Sequence, residues 1–225
     1  MHAILPAAGR ATRMRGLPKF LLPTNDACLT LVEWHTRAML EVAEVVWIPV
    51  RTDSFSLLES LGIFGSRVIP LVVETETMTE TVLEVISVSG ADNFIFGMPD
   101  TYFWSVGAAY DSLSSHEANV VAGLFPIRDE QKGKVGQVKL MSDSLLIEKV
   151  VDKDQHCDYS LLWGCLKFNR ELAGSFLPKD PHVGYGLARY VAEGHGVEGL
   201  EFDGLYFDCG TPSEYWSLLS HLVNT

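Results

Sequence analysis

The sequence predicts an α/β protein whose mixed, mainly parallel sheet is flanked by helices. Two observations support this fold class. Short apolar segments typical of buried strands alternate along the chain with segments whose apolar residues recur at helical spacing. The length of 225 residues and the hydrophobic fraction of 47% suffice for one large domain with a sizeable core. Alternating strands and helices are typical of parallel sheets that are covered on both faces.

In the first half of the chain, strands and helices alternate regularly. The first strand is predicted at 2–8, an apolar run that ends in small residues, and a loop rich in glycine and arginine follows at 9–18. A helix is predicted at 31–43, where apolar residues such as Leu31 and Trp34 recur at helical spacing. The same reasoning predicts further helices at 54–61, 79–88 and 104–114, and further strands at 45–50, 68–73, 94–96 and 119–125.

The pattern changes in the second half. A hairpin is predicted at 134–150 and another strand at 159–168, followed by a helix at 185–194, a strand at 197–202 and a last helix at 212–222. Consecutive strands without an intervening helix favour antiparallel pairing. We therefore expect the second half to extend the same sheet, so that residues 1–225 form a single domain.

The charge and the cysteines exclude several classes of protein. There are 17 Lys and Arg against 29 Asp and Glu, a formal net charge of −12, whereas a nucleic-acid-binding protein needs a basic surface. The four cysteines form no C-x-x-C pair, which predicts reduced thiols rather than a zinc site. No apolar stretch is long enough to cross a membrane, and the apolar N-terminal run is too short for a signal peptide. We expect a cytoplasmic protein that binds neither nucleic acid nor membranes.

The loop after the first predicted strand has the composition of a phosphate-binding loop. It would lie at the carboxyl edge of a parallel sheet, where open α/β folds bind ligands. Small residues let backbone N–H groups approach a phosphate, and Arg10, Arg13 and Lys19 add positive potential. The loop matches neither G-x-x-x-x-G-K-[ST] nor the dinucleotide pattern G-x-G-x-x-G. A dehydrogenase is therefore disfavoured.

Two segments near the N-terminus resemble the signature of the sugar-phosphate nucleotidyltransferases. That family has L-A-x-G-x-G-T-R-M followed by P-K-x-L-L-P, and this chain has Leu5, Ala7, Ala8, Gly9, Thr12, Arg13 and Met14, followed by Pro18-Lys19-Phe20-Leu21-Leu22-Pro23. Ala11 stands where the family has its second glycine, and alanine costs little there unless the position needs a positive φ.

The resemblance extends from Ala3 to about Leu219. It implies a Rossmann-like nucleotide-diphospho-sugar transferase fold. Within the single domain, it implies a nucleotide-binding half at about 1–125 and a sugar-phosphate-binding half at about 126–225.

The resemblance also implies roles for individual residues. Arg13 would stabilise the leaving pyrophosphate, and Lys19 would bridge the α-phosphate and the incoming phosphate. Thr79 lies in a segment that resembles the family's Q-G-T base-reading motif but has no Gln, and a helix N-cap at Thr77 or Thr79 is the alternative. For Arg10 and Arg15, the alternative is that they are solvated charges on the loop. The residues expected to bind the nucleotide are Leu5, Ala7, Ala8, Gly9, Arg10, Ala11, Thr12, Thr79 and Met98.

Asp100 and Asp208 are candidate ligands for Mg²⁺, which transfer from a nucleoside triphosphate usually requires. Each follows an apolar, strand-like segment. Asp208 lies in Phe207-Asp208-Cys209-Gly210-Thr211-Pro212, which resembles the family's W/F-x-D-x-G-T-P segment. A turn or a helix N-cap is the alternative for a lone aspartate. The resemblance favours metal ligands and gives Asp100 a catalytic role as well.

Two further segments are candidates for binding the phosphorylated substrate. Glu148-Lys149 resembles the family's E-K-P, in which Glu binds a sugar hydroxyl and Lys the phosphate, although Val150 replaces the proline. Trp163 and Gly164 belong to a segment that resembles the family's G-[IL]-Y-x-F strand, where the glycine would let a sugar approach and the tryptophan would stack. A solvated charge pair and a buried core tryptophan are the respective alternatives. No histidine has a partner at a recognisable spacing, and none is assigned a role.

Together these features predict a Mg²⁺-dependent nucleotidyltransferase that joins a nucleoside triphosphate to a sugar 1-phosphate, giving an NDP-sugar and pyrophosphate. The acceptor phosphate is already ionised, so in-line attack needs alignment and charge neutralisation but no general base. The alternatives are a cytidylyltransferase acting on phosphocholine or another small phosphate, and a non-catalytic nucleotide-sugar-binding regulator of the same fold. The sequence leaves the base, the acceptor and an oligomeric assembly open.

Overall fold

The computed structural model describes residues 1–25, 27–176 and 180–224. We number strands and helices in chain order. The strands are β1 (His2–Ile4), β2 (Val45–Val50), β3 (Val68–Val72), β4 (Asn93–Gly97), β5 (Thr101–Phe103), β6 (Val121–Pro126), β7 (Gly136–Leu140), β8 (Ile147–Asp152), β9 (Leu161–Asn169), β10 (Glu198–Glu201) and β11 (Tyr206–Asp208). The helices are α1 (Leu31–Leu40), α2 (Thr52–Ser60), α3 (Met78–Ser89), α4 (Val106–Ser115), α5 (Arg170–Phe176), α6 (Val183–Ala192) and α7 (Pro212–Val223).

Nine strands form a mixed sheet in the order β10-β6-β9-β4-β1-β2-β3, with β7 attached to β9 and β8 attached to β7. Neighbours are parallel along β4-β1-β2-β3 and between β6 and β10. Strand β9 runs antiparallel between β4 and β6, and the β7–β8 hairpin continues from it in antiparallel fashion. The predicted mixed, mainly parallel α/β fold is therefore confirmed, and strands from both halves of the chain share one sheet.

The core consists mainly of two apolar clusters on opposite faces of this sheet. On β4, Ile95 belongs to one cluster, whereas Phe94 and Phe96 belong to the other. This alternation follows from the two-residue period of a strand, which sends successive side chains to opposite faces. Helices α1, α2 and α4 cover the first cluster, and α3, α5 and α6 cover the second. The three consecutive apolar residues at 94–96 of β4 are thus explained by burial on both faces.

A second, two-stranded sheet was not predicted from the sequence. Strand β5 pairs antiparallel with β11, so that Asp208 lies opposite Thr101. The N–H of Cys209 donates to the carbonyl oxygen of Asp100 at 2.9 Å. Each strand has only three residues, too few for a periodic pattern to be recognised. This pairing brings the segments that contain Asp100 and Asp208 together.

Several element boundaries differ from those predicted. Strand β1 ends at Ile4 rather than at residue 8, although the N–H groups of Leu5 and Ala7 still donate to carbonyl groups of β2. Helix α1 ends at Leu40 rather than at residue 43, and the turn that follows it is held by Arg67, which donates to the Ala43 carbonyl at 2.8 Å. In the hairpin, residues 145 and 146 lie outside both strands. Helix α5 was not predicted.

All four cysteines are free thiols, with Cys165 and Cys209 buried. Burial raises the pKa of both buried thiols well above the usual range, so they are protonated and unreactive at neutral pH. Within the described part of the chain, no helix is both long and apolar enough to cross a membrane.

His35 lies at the centre of the fold with both ring nitrogens occupied. The ring is fully buried, with Nδ1 2.7 Å from the Tyr110 hydroxyl and Nε2 2.9 Å from the Thr101 carbonyl oxygen. A carbonyl only accepts, so Nε2–H donates to Thr101 and Nδ1 accepts from Tyr110. Burial lowers the pKa of His35 from an ordinary value of 6.5 to about 4.

We expect His35 to lower the free energy of unfolding by about 2 kcal/mol between pH 7 and pH 5. The unfolded chain takes up a proton as the pH drops through 6.5, whereas folded His35 stays neutral down to about 4. The stabilisation is therefore complete above pH 6.5 and is lost as the pH falls towards 4. Urea unfolding at both pH values, compared between the wild type and His35→Gln, measures this component. His156→Gln, at an exposed position, should keep the wild-type dependence; the same dependence in His35→Gln would contradict the prediction.

Candidate active site

A cleft at the carboxyl edge of the parallel strands consists of two adjoining cavities. The first has a volume of about 260 Å³ and the second a volume of about 200 Å³. The cleft lies beyond the ends of β1 and β4, which are neighbours in the sheet, so the loops that follow these strands meet there. The residues that line both cavities, and so mark their junction, are Lys19, Met78, Met98, Asp100 and His182.

The loop after β1 forms one wall of the first cavity. A β-carbon at Gly9 would meet no atom within 4 Å, so the backbone there is accessible to a ligand. Ala11 and Arg15 adopt φ values of 49° and 53°, in the left-handed region. Position 11 therefore does need a positive φ, and an alanine in that conformation costs about 1 kcal/mol. The loop residues in this wall are Pro6, Ala7, Ala8, Gly9, Arg10 and Ala11.

The amino end of α3 forms the opposite wall of the first cavity. Thr77 is the N-cap residue: its hydroxyl accepts from the N–H of Glu80 at 3.1 Å, and the Glu80 carboxylate accepts from the N–H of Thr77 at 3.1 Å. Thr77 and Met78 line the cavity, whereas Thr79 is buried behind them. The structure thus assigns the N-cap to Thr77. A helix that begins at the cavity adds positive potential to it.

An ion pair connects the two walls of the first cavity. Arg10 Nη2 lies 3.0 Å from Glu76 Oε1, and both residues line the cavity with their side chains largely exposed. Solvent screening keeps such an exposed pair weak. A ligand can therefore displace it at little cost.

The second cavity combines charged side chains of both signs with a buried aromatic ring. Trp163, only 6% exposed, lines this cavity together with Gly136 and Gly184. Both glycines are needed for the ring to fit, because a β-carbon at Gly184 would lie 2.9 Å from the indole Cζ2 and one at Gly136 would collide with Nε1. The charged residues that line the cavity are Arg13, Lys19, Lys134, Lys153, Asp100, Asp152 and Asp208.

Lys19, Asp100 and Asp208 come together where the two cavities adjoin. Lys19 forms an ion pair with Asp100, and the β5–β11 pairing brings Asp208 to the same place. Burial, together with the negative charges of Asp100 and Glu214, raises the pKa of Asp208 to about 6, against the smaller opposing effects of Lys19 and Arg13. The site therefore holds more negative charge than its own lysine neutralises.

Asp100 and Asp208 fit the requirements of a Mg²⁺ ion. Proteins bind this ion through one or two carboxylates, and water and substrate phosphates supply the remaining ligands. The pKa of Asp208 is raised mainly by burial and further by the negative charges of Asp100 and Glu214, which a divalent cation would neutralise. Among the described residues, no three His, Cys, Asp or Glu side chains cluster so as to hold a metal. The fit therefore depends on two carboxylates together with a bound phosphate.

The structure places most, but not all, of the predicted nucleotide-binding residues in the cleft. Leu5 is fully buried, Thr12 is exposed at the start of a short 3₁₀ turn, and Thr79 is buried in α3, so that these three line neither cavity. The predicted residues that line the first cavity are Ala7, Ala8, Gly9, Arg10, Ala11 and Met98.

Three of the four predicted substrate-binding residues also lie outside both cavities: Glu148, Lys149 and Gly164. Glu148 is exposed and pairs with Lys139 at 2.9 Å, and Lys149 lies opposite Lys139 in the β7–β8 ladder. These are solvated charges on a hairpin, the alternative considered above. Gly164 makes room for aromatic packing, since a β-carbon there would lie 2.8 Å from the Phe125 ring. The fourth residue, Trp163, does line the second cavity.

Asp152 and Lys153 line the second cavity but were missed by the sequence analysis. They form a second acid–lysine dipeptide four residues after Glu148-Lys149, and this repetition is the signal that could have identified them. Lys153 adopts a φ of 58° just beyond β8, with its ammonium 5.5 Å from the centre of the Tyr185 ring. Burial raises the pKa of Asp152.

His182 lines both cavities, although the sequence analysis assigned it no role. It is the N-cap residue of α6, and its ring lies 5.7 Å from that of Tyr185. Burial lowers the pKa of His182, and the charge of Lys153 lowers it further against the opposing effect of Asp152. A neutral imidazole can donate a hydrogen bond from one nitrogen and accept at the other.

No protein-family model matches this chain, and no curated protein matches its sequence. Solved structures match its fold. A UDP-glucose pyrophosphorylase complexed with UDP-glucose has a TM-score of 0.81 at 15% identity, covering 99% of this chain and 98% of that one. A UTP-bound UGPase from Acinetobacter baumannii has a TM-score of 0.75 at 18% identity, over 98% of this chain and 92% of that one. The inositol-1-phosphate CTP transferase from T. maritima has a TM-score of 0.76 at 19% identity, over 98% of this chain and 95% of that one.

The sheet order and the cleft at its carboxyl edge define a Rossmann-like α/β protein. More specifically, the chain has the sugar-phosphate nucleotidyltransferase fold, as the resemblance of its motifs implied. At these low identities the similarity establishes the fold, and the activity has to be inferred from the site.

Proposed function

We propose that the protein is a nucleotidyltransferase that joins a nucleoside triphosphate to a sugar 1-phosphate, giving an NDP-sugar and pyrophosphate. The main support is the junction of the two cavities, where Lys19 pairs with Asp100 and Asp208 adjoins them. The loop after β1 lines the first cavity, and the basic side chains of Lys134 and Lys153 line the second. Two phosphorylated substrates can therefore approach each other at one charged point.

In this reaction, an oxygen of the acceptor phosphate attacks the α-phosphorus, and the bond from that phosphorus to the leaving pyrophosphate breaks. The attacking oxygen is already ionised, so no side chain has to remove a proton. The loop N–H groups would bind the β- and γ-phosphates in the first cavity. Arg13, which lines the second cavity and lies close enough to Asp208 to act on its charge, would stabilise the leaving pyrophosphate from that side. Lys19, between the two substrates, would hold both phosphates in line and offset their mutual repulsion.

Asp100 and Asp208 would hold a Mg²⁺ ion. When bound, the ion supplies positive charge to the phosphate oxygens during the transfer. The β5–β11 pairing places Asp208 opposite Thr101, and the Cys209 N–H donates to the Asp100 carbonyl, so the backbones of the two aspartates are brought together before a substrate arrives. Without a cation the same carboxylates would repel the phosphates, and we therefore expect the reaction to require a divalent metal.

Pyrophosphate release tests this proposal. The protein is incubated with Mg²⁺, each nucleoside triphosphate in turn, and glucose 1-phosphate, inositol 1-phosphate or phosphocholine. The first pair to test is UTP with glucose 1-phosphate, because structurally similar proteins bind UTP and UDP-glucose. Turnover only with CTP and phosphocholine would favour a cytidylyltransferase. Tight binding of a nucleotide-sugar without turnover of any pair would refute the catalytic proposal and favour a regulatory protein.

Replacing Lys153 by Ala is expected to raise the KM for the phosphorylated acceptor about 10-fold, with a smaller effect on kcat. Its side chain lines the second cavity, and a hydrogen bond to a charged group typically contributes about 1.5–3 kcal/mol. Lys149→Ala is the matched control, because Lys149 lies on the same hairpin but outside both cavities. Steady-state kinetics with the acceptor varied measure both effects. A larger effect of Lys149→Ala would instead support Lys149 as the residue that binds the acceptor phosphate, as the sequence predicted.

A further inference from the structure

One polar side chain where the two cavities adjoin has no hydrogen-bond partner among the residues that the structure describes. Of the residues that line both cavities, Lys19 pairs with Asp100, whereas Met78 and Met98 are apolar. The remaining residue is His182, and neither of its ring nitrogens forms a hydrogen bond with a described residue. His182 is exposed, so a ligand in either cavity can reach the ring.

Two contacts fix the backbone next to His182 between the walls of the cleft. The Pro181 carbonyl oxygen accepts from the N–H of Thr79, in the first turn of α3, at 3.4 Å. The Asp180 carboxylate pairs with Arg189 of α6 at 2.9 Å. Because α3 bounds the first cavity and α6 begins beside the second, these contacts hold His182 at the junction.

The side chain of His182 does not cap its own helix. His182 is the N-cap residue of α6, but its ring accepts no hydrogen bond from the first turn of that helix. The ring instead lies edge-on to that of Tyr185, with the ring centres 5.7 Å apart. The residues that cap helices well are Ser, Thr, Asp and Asn. An imidazole at this position therefore does not serve the helix, and its nitrogens are available to a ligand.

The imidazole of His182 is a neutral hydrogen-bond donor at neutral pH. Partial burial of the ring lowers the pKa of His182, and the charge of Lys153 lowers it further against the opposing effect of Asp152. A neutral imidazole has one N–H donor. Lys19, the other donor that lines both cavities, is already paired with Asp100. His182 thus supplies a donor that no described carboxylate occupies.

We propose that His182 donates this N–H to a non-bridging oxygen of the α-phosphate during the transfer, and is thereby a catalytic residue. The inference rests on the proposed function. In that reaction, the bond from the acceptor oxygen to the α-phosphorus forms while the bond to pyrophosphate breaks. The donor stabilises the negative charge on the oxygens of the transferred group. No proton is transferred, because the acceptor phosphate is already ionised.

The position of His182 favours the α-phosphate over other groups of the two substrates. Residues that line a single cavity, such as Arg10 in the first and Lys153 in the second, face only one substrate. His182 lines both cavities and therefore faces the place where the two substrates meet. The group that the substrates exchange at that place is the α-phosphate.

His182→Ala tests this role, because it removes the ring without breaking a hydrogen bond to a described residue. We expect kcat for pyrophosphate release to fall roughly 10- to 100-fold, as expected for the loss of one hydrogen bond to a charged group. The KM values for both substrates should change by less than about 3-fold, because the bond strengthens as the transition state forms. A folded variant with the wild-type kcat, or one altered only in KM, would overturn the inference.

His156→Ala is the matched control. His156 is exposed and lines neither cavity. We expect its kcat and KM values to equal those of the wild type. Thermal unfolding shows whether each variant is folded. A purely structural role of His182 would lower the melting temperature without lowering the kcat of the folded protein.

Ligand binding to the wild type distinguishes this inference from the proposed function. The ring nitrogens of the seven histidines are observed by NMR in protein labelled with ¹⁵N-histidine, and the signals of His182 are those missing from His182→Ala. Each nucleoside triphosphate is titrated in Mg²⁺ without an acceptor, so that no transfer occurs, and calorimetry shows which of them binds. We expect the bound triphosphate to shift the signals of His182 and to leave those of His156 in place.

The outcomes of this titration separate the two claims. A shift of the His182 signals without turnover of any substrate pair would reject the proposed function and retain the contact with phosphate. Turnover with unchanged His182 signals in the bound state would retain the proposed function and overturn the inference. If no triphosphate binds, both are overturned.

Discussion

Replacing Lys19 by Met is expected to lower kcat/KM for pyrophosphate release roughly 100- to 1,000-fold. The ammonium pairs with Asp100 at the junction of the two cavities, and the Lys19 side chain is only 17% exposed. Charge interactions are stronger at such a partly buried position than in bulk water. The substitution removes the cation that would face both phosphates during the transfer. Methionine keeps an apolar stem of similar length, so the surrounding packing is retained.

Arg15→Ala is the matched control for Lys19→Met. Arg15 belongs to the same basic loop but is exposed and lines neither cavity. We expect its kinetics to remain close to the wild type. This result would show that removing a positive charge from the loop is not by itself the cause of the loss of turnover in Lys19→Met. Thermal unfolding establishes that each variant is folded. Near wild-type turnover of a folded Lys19→Met variant would remove Lys19 from the proposed mechanism.

The position of the loop that we propose to bind phosphate could be predicted because its residues are consecutive in the sequence. Small residues and arginines follow an apolar strand directly, and the structure places residues 6–11 in the wall of the first cavity. The backbone conformation of the loop was harder to predict from the sequence. Ala11 adopts a φ of 49° although nothing in its side chain favours the left-handed region. Its conformation is therefore imposed by the surrounding turn.

The second cavity was harder to predict because it depends on strand register. Either of two acid–lysine dipeptides could face the cleft, and the β7–β8 ladder shifts register between Lys139 and Leu140. A bulge of this kind re-aims the side chains that follow it. Likewise, successive residues of β9 face opposite sides, so Trp163 reaches the cavity and Gly164 does not. The sequence shows that alternate residues of the strand face the same side, but it does not show which set faces the cavity.

The net charge of −12 is compatible with phosphate-rich ligands because the charges are unevenly distributed. Arg13, Lys19, Lys134 and Lys153 all line the second cavity. Asp100 and Asp208, the candidate metal ligands, account for part of the acidic excess at that site. A small bound phosphate meets this local arrangement rather than the average surface, whereas a nucleic-acid polymer would meet the acidic surface as well.

Replacing Asp208 by Asn is expected to have two opposite effects: a large loss of turnover and a gain in stability. Burial, together with the charges of Asp100 and Glu214, raises the pKa of Asp208 to about 6. An aspartate in the unfolded chain ionises near 4, so at pH 8 the folded state is destabilised on the order of 2 kcal/mol by this buried carboxylate. The destabilisation is complete above pH 6 and disappears as the pH falls below about 4. Asparagine has nearly the same shape and no charge.

Unfolding in EDTA at pH 8 should therefore give Asp208→Asn a melting temperature a few degrees above that of the wild type. Pyrophosphate release should fall roughly 1,000-fold, because the several kcal/mol that a bound cation contributes would be lost. Asp203→Asn, at an exposed position outside both cavities, should change neither property. A variant damaged in its fold would lose stability and turnover together, and unchanged turnover would exclude Asp208 as a metal ligand. Greater stability with lost turnover is instead expected of a carboxylate that serves a bound cation at the expense of the fold.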